Sequence, residues 1–242
     1  ANITFPALLQ AFFTVQLLQQ KQVSPHTIAS YRDTFCLLLR YAQQRLHKTP
    51  AKLTLAELNA PLIVAFLEHL QQERGTSARS RNVRLAAIHS FFQYAALQAP
   101  NHSGLIEQVL AIPSMRYARN PIEFLTHVEI EALLAATDQD TWIGRRDRTL
   151  LLLALQTGLR VSELIGLRWQ AIVLGTGAHV RCQGKGRKTR CTPLRKDTVA
   201  ALKAWQQEQQ GRLEESVFPN ARGQPLSRDG VAYLLAKYVA MA

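Results

Sequence analysis

The sequence is poor in cysteine and has no long apolar run. Its three cysteines, Cys36, Cys182 and Cys191, cannot all pair, and no CxxC spacing suggests zinc, so we expect free thiols in a reducing compartment. The longest apolar run, Leu150–Leu155, is far shorter than the roughly 20 residues of a membrane span. No charged-then-apolar leader opens the chain, and no internal repeat is found. These absences predict a cytoplasmic globular protein.

Acidic residues are also scarce. The chain has 17 Asp and Glu against 29 Lys and Arg, which gives a net charge of +12 and a pI near 10.1. Residues 1–120 hold 12 basic and 5 acidic side chains (+7), and residues 121–242 hold 17 and 12 (+5), so the excess spans both halves. Such an imbalance favours a polyanionic partner. The alternative is a protein that is basic without binding one.

The first hundred residues carry four stretches with helical periodicity. A chain of 242 residues, 47% of them hydrophobic, can bury the core of one large domain or two smaller ones. The third stretch opens with a capping box, Thr54 with Glu57, and Gly75 follows its end. Four helices joined by short loops bury one shared core. The predicted helices span residues 5–20, 27–46, 54–74 and 77–97.

The regular pattern stops between Pro100 and Pro121. Asn, Ser, Gly, Pro and Arg punctuate this stretch, with one helical turn possible at residues 105–110, which is typical of an interdomain linker. Its Arg116 and Arg119 could lie along a phosphate backbone, or the segment could be a solvated connector. The sequence therefore predicts a helical domain at 1–99, a linker at 100–122, and a second domain at 123–242.

The second block mixes helices with short strands. Thr126 and Glu129 form a second capping-box pattern, and a helix is predicted from about Arg145 to Thr157. Three β-like runs follow, with glycines at the turns between them. They span residues 171–174, 178–182 and 189–193, before a helix at 196–209, a short run at 217–219 and a final helix capped by Ser227. The predicted fold is mainly α with a small sheet.

Three residues in this block suggest phosphate chemistry. Gly158 permits a turn, and Arg160 follows it with a planar fork that matches phosphate oxygens. The helix N-terminus after it would favour an anion. Lys185, between two glycines, lies on a hairpin tip that could enter a groove and deliver a proton. Alternatively, Arg160 simply pairs with Glu163, and Lys185 is a solvated turn residue.

The segments "TGLRVSELIGLRW" and "GKGRKTRCTPL" resemble the first-arginine motif and the lysine-bearing β-hairpin of the tyrosine recombinases, also called the phage-integrase family. Two further segments, "SPHTIASYRDTFCLLLRYAQQ" and "SARSRNVRLAAIHSFFQYA", are similar to helices of that family's N-terminal core-binding (SAM-like) domain. The resemblance covers nearly the whole chain in the right order.

The resemblance implies a site-specific recombinase or integrase that grips duplex DNA between its two domains. A tyrosine attacks the scissile phosphate and forms a 3′-phosphotyrosyl bond. The family's roles carry to Arg160 as stabiliser of the phosphate in the transition state, to Lys185 as general acid, and to Glu163 as a supporting residue. No metal or other cofactor is implied. The intact protein is expected to form a tetramer on paired DNA sites. No association with a membrane is expected.

Further DNA contacts are expected at helix starts, in the linker and on the hairpin. For each, a solvated surface is the alternative. The expected contact residues are Thr27, Ser30, Arg32, Arg79, Arg81, Arg84, Arg116, Arg119, Arg187, Lys188 and Arg190.

The sequence departs from the family after the last predicted helix. None of its six tyrosines follows an HxLRH-like run, so the nucleophile is expected to be absent from this chain. Tyr238 lies on the helix that precedes the missing motifs, and His127 and His179 are expected at the surface. The chain is predicted to be an inactive fragment of a working recombinase. The alternatives are a naturally shortened, non-cutting relative, or a DNA-binding regulator without chemistry.

Overall fold

The computed structural model describes residues 4–118, 121, 123–184, 189–210, 212 and 214–242. The chain divides into two compact units, Ala1–Pro121 and Ile122–Ala242. The architecture is mainly α-helical with one small antiparallel sheet, as the sequence predicts. Among the described residues, no helix is both long enough and apolar enough to cross a bilayer.

The first unit is a helical bundle. Its helices are α1 (Phe5–Ala11), which continues as a π-helix (Phe12–Gln20), α2 (Pro25–Leu46), α3 (Ala60–Gln72), α4 (Ala78–Gln98) and α5 (Ser103–Leu110). The hydroxyls of Ser24 and Ser77 cap α2 and α4 by accepting backbone N–H bonds. Aromatic rings fill the core: Phe91 packs edge-to-face on Phe12 and Phe35, with centroids 5.5 and 5.4 Å apart.

The third helix begins later than the sequence predicts. Thr54 and Glu57 do form their capping box, but it closes a single 3₁₀ turn, Leu55–Glu57. Asn59 then starts α3 afresh, since its side chain accepts from the backbone N–H of Leu62. Pro61 has no N–H to donate, so it suits the first turn of a helix but not the interior of the one predicted here.

The predicted linker is partly structural. Residues 103–110 form α5, which packs on α3 and α4, and Ile106, Val109 and Ile112 are buried in the core of the first unit. The half-buried His89 of α4 hydrogen-bonds the carbonyl of Val109 through Nε2, 3.0 Å away. The extended part of the segment therefore begins only after Ile112.

The second unit combines five α-helices, one 3₁₀ turn (Trp169–Ala171) and three strands among the described residues. They are α6 (His127–Ala135), α7 (Trp142–Thr157), α8 (Val161–Ile165), β1 (Ile172–Val173), β2 (His179–Gln183), β3 (Thr189–Pro193), α9 (Lys196–Gln209) and α10 (Arg228–Met241). The predicted run at 217–219 forms no regular strand: an isolated bridge joins Pro219 to Pro225, and another joins the preceding Ser216 to Arg168. Trp169 and Trp205 are fully buried in the core.

The sheet has the order β1-β2-β3 with antiparallel pairing throughout. In the β2–β3 hairpin, Cys182 lies opposite Arg190, and Gln183 opposite Thr189 is the last pair before the tip. The tip residues Lys185, Arg187 and Lys188 lie outside the described residues. The side chain of Gln156 on α7 donates to the carbonyl of Pro193 at 3.0 Å, so the hairpin is tied to the helix that leads to Arg160.

Candidate active site

Arg160 is positioned by the end of α7. The helix stops at Gly158, which has a φ of 59° and donates its N–H to the carbonyl of Ala154. A residue with a side chain is strained in this left-handed conformation, whereas glycine is not. The chain turns there, Leu159 is buried, and Arg160 becomes the N-cap residue of α8 with 61% of its side chain exposed. The guanidinium therefore lies at the surface, at the turn between α7 and α8.

A single carboxylate joins Arg160 to the β-hairpin. Oε1 of Glu163 accepts from the guanidinium of Arg160 at 3.1 Å, and Oε2 accepts from the backbone N–H of Arg160 at 2.8 Å. The same Oε2 accepts from Nη2 of Arg190 on β3 at 2.9 Å. The Glu163 side chain is only 9% exposed. Two guanidiniums from different elements thus meet on one nearly buried acid.

The ionised form of Glu163 is favoured. Burial by itself raises the pKa of this carboxyl, but the two hydrogen bonds from Arg160 and the charges of Arg190 and Arg160 outweigh it, so the pKa lies below its ordinary value. A carboxylate held ionised between two cations keeps them in place. Their combined charge of +2 exceeds its −1, so the cluster still attracts an anion.

The cluster lies near the tip end of the β2–β3 hairpin. Arg190 follows Thr189, which is the first residue of β3 and the first described residue after the tip. Lys185 itself lies outside the described residues, so its distance from Arg160 stays a prediction. Arg160 does pair with Glu163, which was the alternative interpretation of this arginine. The pairing still leaves 61% of the Arg160 side chain exposed. Because α8 has only five residues, the expected help from its helix N-terminus is small, and the guanidiniums carry the anion-binding potential.

Tyr238 is unsuited to act as a nucleophile. It is 2% exposed, and its hydroxyl donates to Oδ2 of Asp147 at 2.9 Å. Burial, together with this bond, raises the pKa of Tyr238 to about 12. The other oxygen of Asp147 accepts from Nε and Nη2 of Arg146, whose Nη1 donates to the carbonyl of Pro219. Tyr238 thus belongs to a buried network that joins α7 to α10.

The predicted contacts on α2 occupy its first turns. The hydroxyl of Thr27 is 3.0 Å from that of Ser24, and the carbonyl of Ser30 accepts from the hydroxyl of Thr34 at 2.9 Å. Arg32 is exposed and lies 3.3 Å from Asp33. All three side chains are at least partly accessible, so they remain candidates for a groove contact.

The three arginines at the start of α4 differ in how far their side chains are exposed to solvent. Arg79 is exposed, whereas Arg84 donates to the hydroxyl of the buried Thr34 at 3.1 Å. Arg81 is 7% exposed, and its Nε and Nη1 are buried without a hydrogen-bond partner among the described residues. Arg81 lies four residues before Leu85, on the apolar stripe of the helix. That spacing was a signal that it faces inward, unlike Arg79.

One contact has no signal in the sequence. Nδ2 of Asn82 donates to the carbonyl of Met115 at 2.8 Å, and the N–H of Met115 donates to Oδ1 of Asn82 at 2.9 Å. Arg116, the next residue, is exposed. Arg119 lies outside the described residues. A pairing across 33 positions leaves no local pattern for sequence reasoning to detect.

His127 is exposed, as predicted, whereas His179 is half-buried. His127 opens α6, is exposed, and lies 3.3 Å from Glu131. His179 is the first residue of β2, and its Nδ1 is 2.7 Å from the carbonyl of Gly177. Neither lies in the cluster formed by Arg160, Glu163 and Arg190.

Comparisons with known proteins agree with this geometry. Residues 123–242 match the phage integrase family, and residues 10–99 match the phage integrase N-terminal SAM-like domain. The Sinorhizobium fredii protein y4rC, which carries the name of an integrase/recombinase, is 55% identical over 231 residues, covering 96% of this chain and 70% of that protein. The chain belongs to the phage integrase family of tyrosine recombinases. Tyrosine recombinase XerC of Xanthomonas campestris is 33% identical, over 90% of this chain and 65% of its own length.

Solved structures show the fold of this family. A lambda integrase dimer bound to a COC′ core site matches with a TM-score of 0.69 at 19% identity, over 99% of this chain and 63% of the integrase chain. XerH recombinase bound to a difH substrate, in a post-cleavage complex, matches with a TM-score of 0.68 over 92% of this chain and 65% of that chain. The chain therefore spans about two thirds of the length of those solved chains.

Proposed function

We propose that the chain is the DNA-binding and partial catalytic portion of a site-specific recombinase or integrase that cuts and rejoins duplex DNA. The observation that carries this proposal is the convergence of Arg160 and Arg190 on Glu163. It brings the start of α8 and the returning strand of the lysine-bearing hairpin to one place. A phosphodiester lying over this cluster would meet fixed cations, which is how phosphoryl-transfer sites lower the barrier.

In the proposed reaction, a tyrosine hydroxyl releases its proton to water and its oxygen attacks the scissile phosphorus. The bond from phosphorus to the 5′-oxygen breaks, and a 3′-phosphotyrosyl bond forms. Arg160 donates to the non-bridging oxygens as their charge grows, and Lys185 gives its proton to the departing 5′-oxygen. Glu163 keeps Arg160 in place. The phosphotyrosyl bond retains the energy of the broken bond, so no nucleotide or metal is needed.

The tyrosine is proposed to lie outside these 242 residues. Five candidates are not preceded by the family's histidine and arginine run, and the sixth, Tyr238, is buried. We expect this chain alone to bind DNA without cutting it. A non-cutting natural relative, or a regulator that only binds DNA, is the second candidate, and it is favoured by the same lack of a nucleophile. Covalent protein–DNA adducts formed by this chain would contradict both statements.

Binding is proposed to involve duplex DNA at a recombination site, with self-association on paired sites. Lambda integrase, a relative in fold, has been crystallised as a tetramer on a Holliday junction. If the chain neutralises about six phosphates, the logarithm of its affinity should fall with the logarithm of salt concentration at a slope near −5. A slope near zero would contradict the DNA proposal.

The role of Arg160 is tested by Arg160→Ala in a protein that joins these residues to the family's tyrosine-bearing segment. Single-turnover cleavage should fall by roughly 10²–10³-fold, as for the loss of one transition-state donor, while DNA affinity changes far less. Arg195→Ala is the matched control, because Arg195 is an exposed arginine paired with Asp197 away from the cluster. Equal cleavage rates for the wild type and Arg160→Ala would contradict the role.

A further inference from the structure

The side chain of Asn82 makes both backbone hydrogen bonds of Met115, as the backbone of a neighbouring β-strand would. It accepts the N–H of Met115 and donates to its carbonyl, at 2.9 and 2.8 Å. A primary amide has one acceptor oxygen and a donor NH₂, so it can satisfy both backbone groups of one residue. Each of the two bonds has good length, and together they fix both the position and the direction of the chain at Met115.

This anchor holds a segment that is otherwise exposed. Residues 113–118 are all exposed and form no helix or strand. Within the described residues, the two bonds to Asn82 are the hydrogen bonds made by the backbone of this segment. Pro113 at its start has no N–H to offer. Without Asn82, the segment would have no polar attachment to α4 among those residues.

The anchor also places the backbone of a second arginine close to α4. Arg79 lies three residues before Asn82 on α4, and positions three apart share a face of a helix. Arg116 follows Met115 directly, so its backbone starts beside the face that carries Arg79. Both arginines are exposed, and neither is paired with a carboxylate within the described part of the chain.

We propose that Asn82 is a positioning residue that holds Arg116 beside Arg79 for contact with the phosphate backbone of duplex DNA. This proposal rests on the proposed function, and it adds the linker to the binding surface. A cation on a free segment loses conformational entropy when it binds a phosphate, whereas a cation on a fixed backbone loses less. Asn82 therefore contributes to affinity without touching DNA.

A double-mutant cycle on the whole 242-residue chain tests this, with affinity for a short DNA duplex measured over a series of salt concentrations. Arg116→Ala in the wild type should lower affinity roughly three- to ten-fold and make the salt slope less negative by about 0.9, the effect of one lost phosphate contact. In an Asn82→Ala background, the same change should have almost no further effect on either quantity. Asn82→Leu, which keeps the volume of the side chain, should behave as Asn82→Ala does.

Two controls separate positioning from general damage. Arg79→Ala should cost as much in the Asn82→Ala background as in the wild type, because Arg79 is held by α4 itself. Asn101→Ala, at an exposed asparagine outside the contact, should leave the affinity and the slope unchanged. Hydrogen exchange at the amide of Met115 should accelerate in Asn82→Ala, with the helical circular dichroism retained.

The result that overturns the proposal is additivity. If Arg116→Ala costs the same with and without Asn82 while the wild type binds DNA with a steep salt slope, Asn82 does not position Arg116. If the wild type shows no salt-dependent DNA binding, the proposed function fails, and this inference fails with it. Strong coupling between Asn82 and Arg116, without coupling to Arg79, supports the proposal.

Discussion

The two units hold their arginines in different ways. In the second unit, Glu163 binds Arg160 and Arg190, and the buried Asp147 binds Arg146. At the start of α4 in the first unit, the described residues place no carboxylate against Arg79 or Arg84, and a hydroxyl serves Arg84 instead. Acids therefore fix these arginines of the second unit, whereas helix geometry and a neutral hydroxyl place Arg79 and Arg84 at the start of α4.

This difference indicates that the arginines of the two sites have different functional roles. A phosphoryl-transfer site needs donors that are oriented before the charge develops, and a carboxylate partner provides that orientation. A DNA-gripping surface needs net positive charge, which a carboxylate partner would partly cancel. Removing the buried or nearly buried acids of the second unit should accordingly cost stability, while removing the exposed Arg79 of the first unit should cost DNA affinity alone.

The largest effect is expected at Asp147. Asp147→Asn leaves the guanidinium of Arg146 buried without a counter-charge, and breaking such a buried pair typically costs about 3–5 kcal/mol. Urea unfolding of the second unit should report a loss in this range. Asp140→Asn, at an exposed position in the turn before α7, is the control and should change stability by less than about 0.5 kcal/mol. Equal effects of the two variants would contradict the claim that a buried carboxylate fixes Arg146 in the second unit.

Tyr238→Phe should have the next largest effect. It leaves Oδ2 of Asp147 without its hydroxyl donor, and a buried unsatisfied acceptor costs about 1–3 kcal/mol. Because the pKa of Tyr238 is raised to about 12, the stabilisation is fully present below about pH 10, the usual tyrosine pKa. It is lost as the pH rises from there through about 12. Unfolding of the two proteins at a series of alkaline pH values checks this, and a difference that grows with pH would contradict it.

Glu163→Gln should cost less, about 1 kcal/mol, because both of its arginine partners are partly solvated. The pKa of Glu163 is lowered in the folded protein, so its contribution is present above the ordinary glutamate pKa of about 4.3 and is lost as the pH falls through the lower folded value. The stability difference between wild type and variant should therefore be constant from pH 8 to about pH 5 and shrink below about pH 4. A difference that persists unchanged in acid would exclude this role.

The smallest change in stability is expected at Arg79. Arg79→Gln removes an exposed cation that pairs with no acid in the described part of the chain, so the free energy of unfolding should move by less than about 0.5 kcal/mol. The salt slope of DNA binding should become less negative by about 0.9. A stability loss as large as that of Glu163→Gln, with no change in the slope, would erase the contrast between the two units.

Local features of both units follow from the sequence. The caps at Ser24, Ser77, Thr126 and Ser227 and the left-handed Gly158 act within a few residues, so short patterns reveal them. The capping box at Thr54 led to a helix start that is predicted too early, and the reason is also local. The same box fits a single 3₁₀ turn, and the helix start encoded by Asn59 and Pro61 is equally short-range.

The pairings that build the sites do not follow from the sequence. Glu163 meets Arg190 across 27 positions, Asn82 meets Met115 across 33, and Tyr238 meets Asp147 across 91. Each depends on how the elements pack, and packing leaves no periodic trace in the residues involved. Sequence reasoning thus identified Arg160 and Glu163 as a pair but assigned Arg190 only to DNA, although it also holds the hairpin against that pair.

The central claim is that Arg160 and Lys185 act on one phosphodiester. It can be tested by binding the chain to duplexes of its recombination site in which one phosphate at a time is replaced by a neutral methylphosphonate. We expect one position where the replacement weakens binding by the wild type, and where Arg160→Ala and Lys185→Ala each cause no further loss of affinity. Coupling of the two residues to different phosphates, or to none, would contradict it.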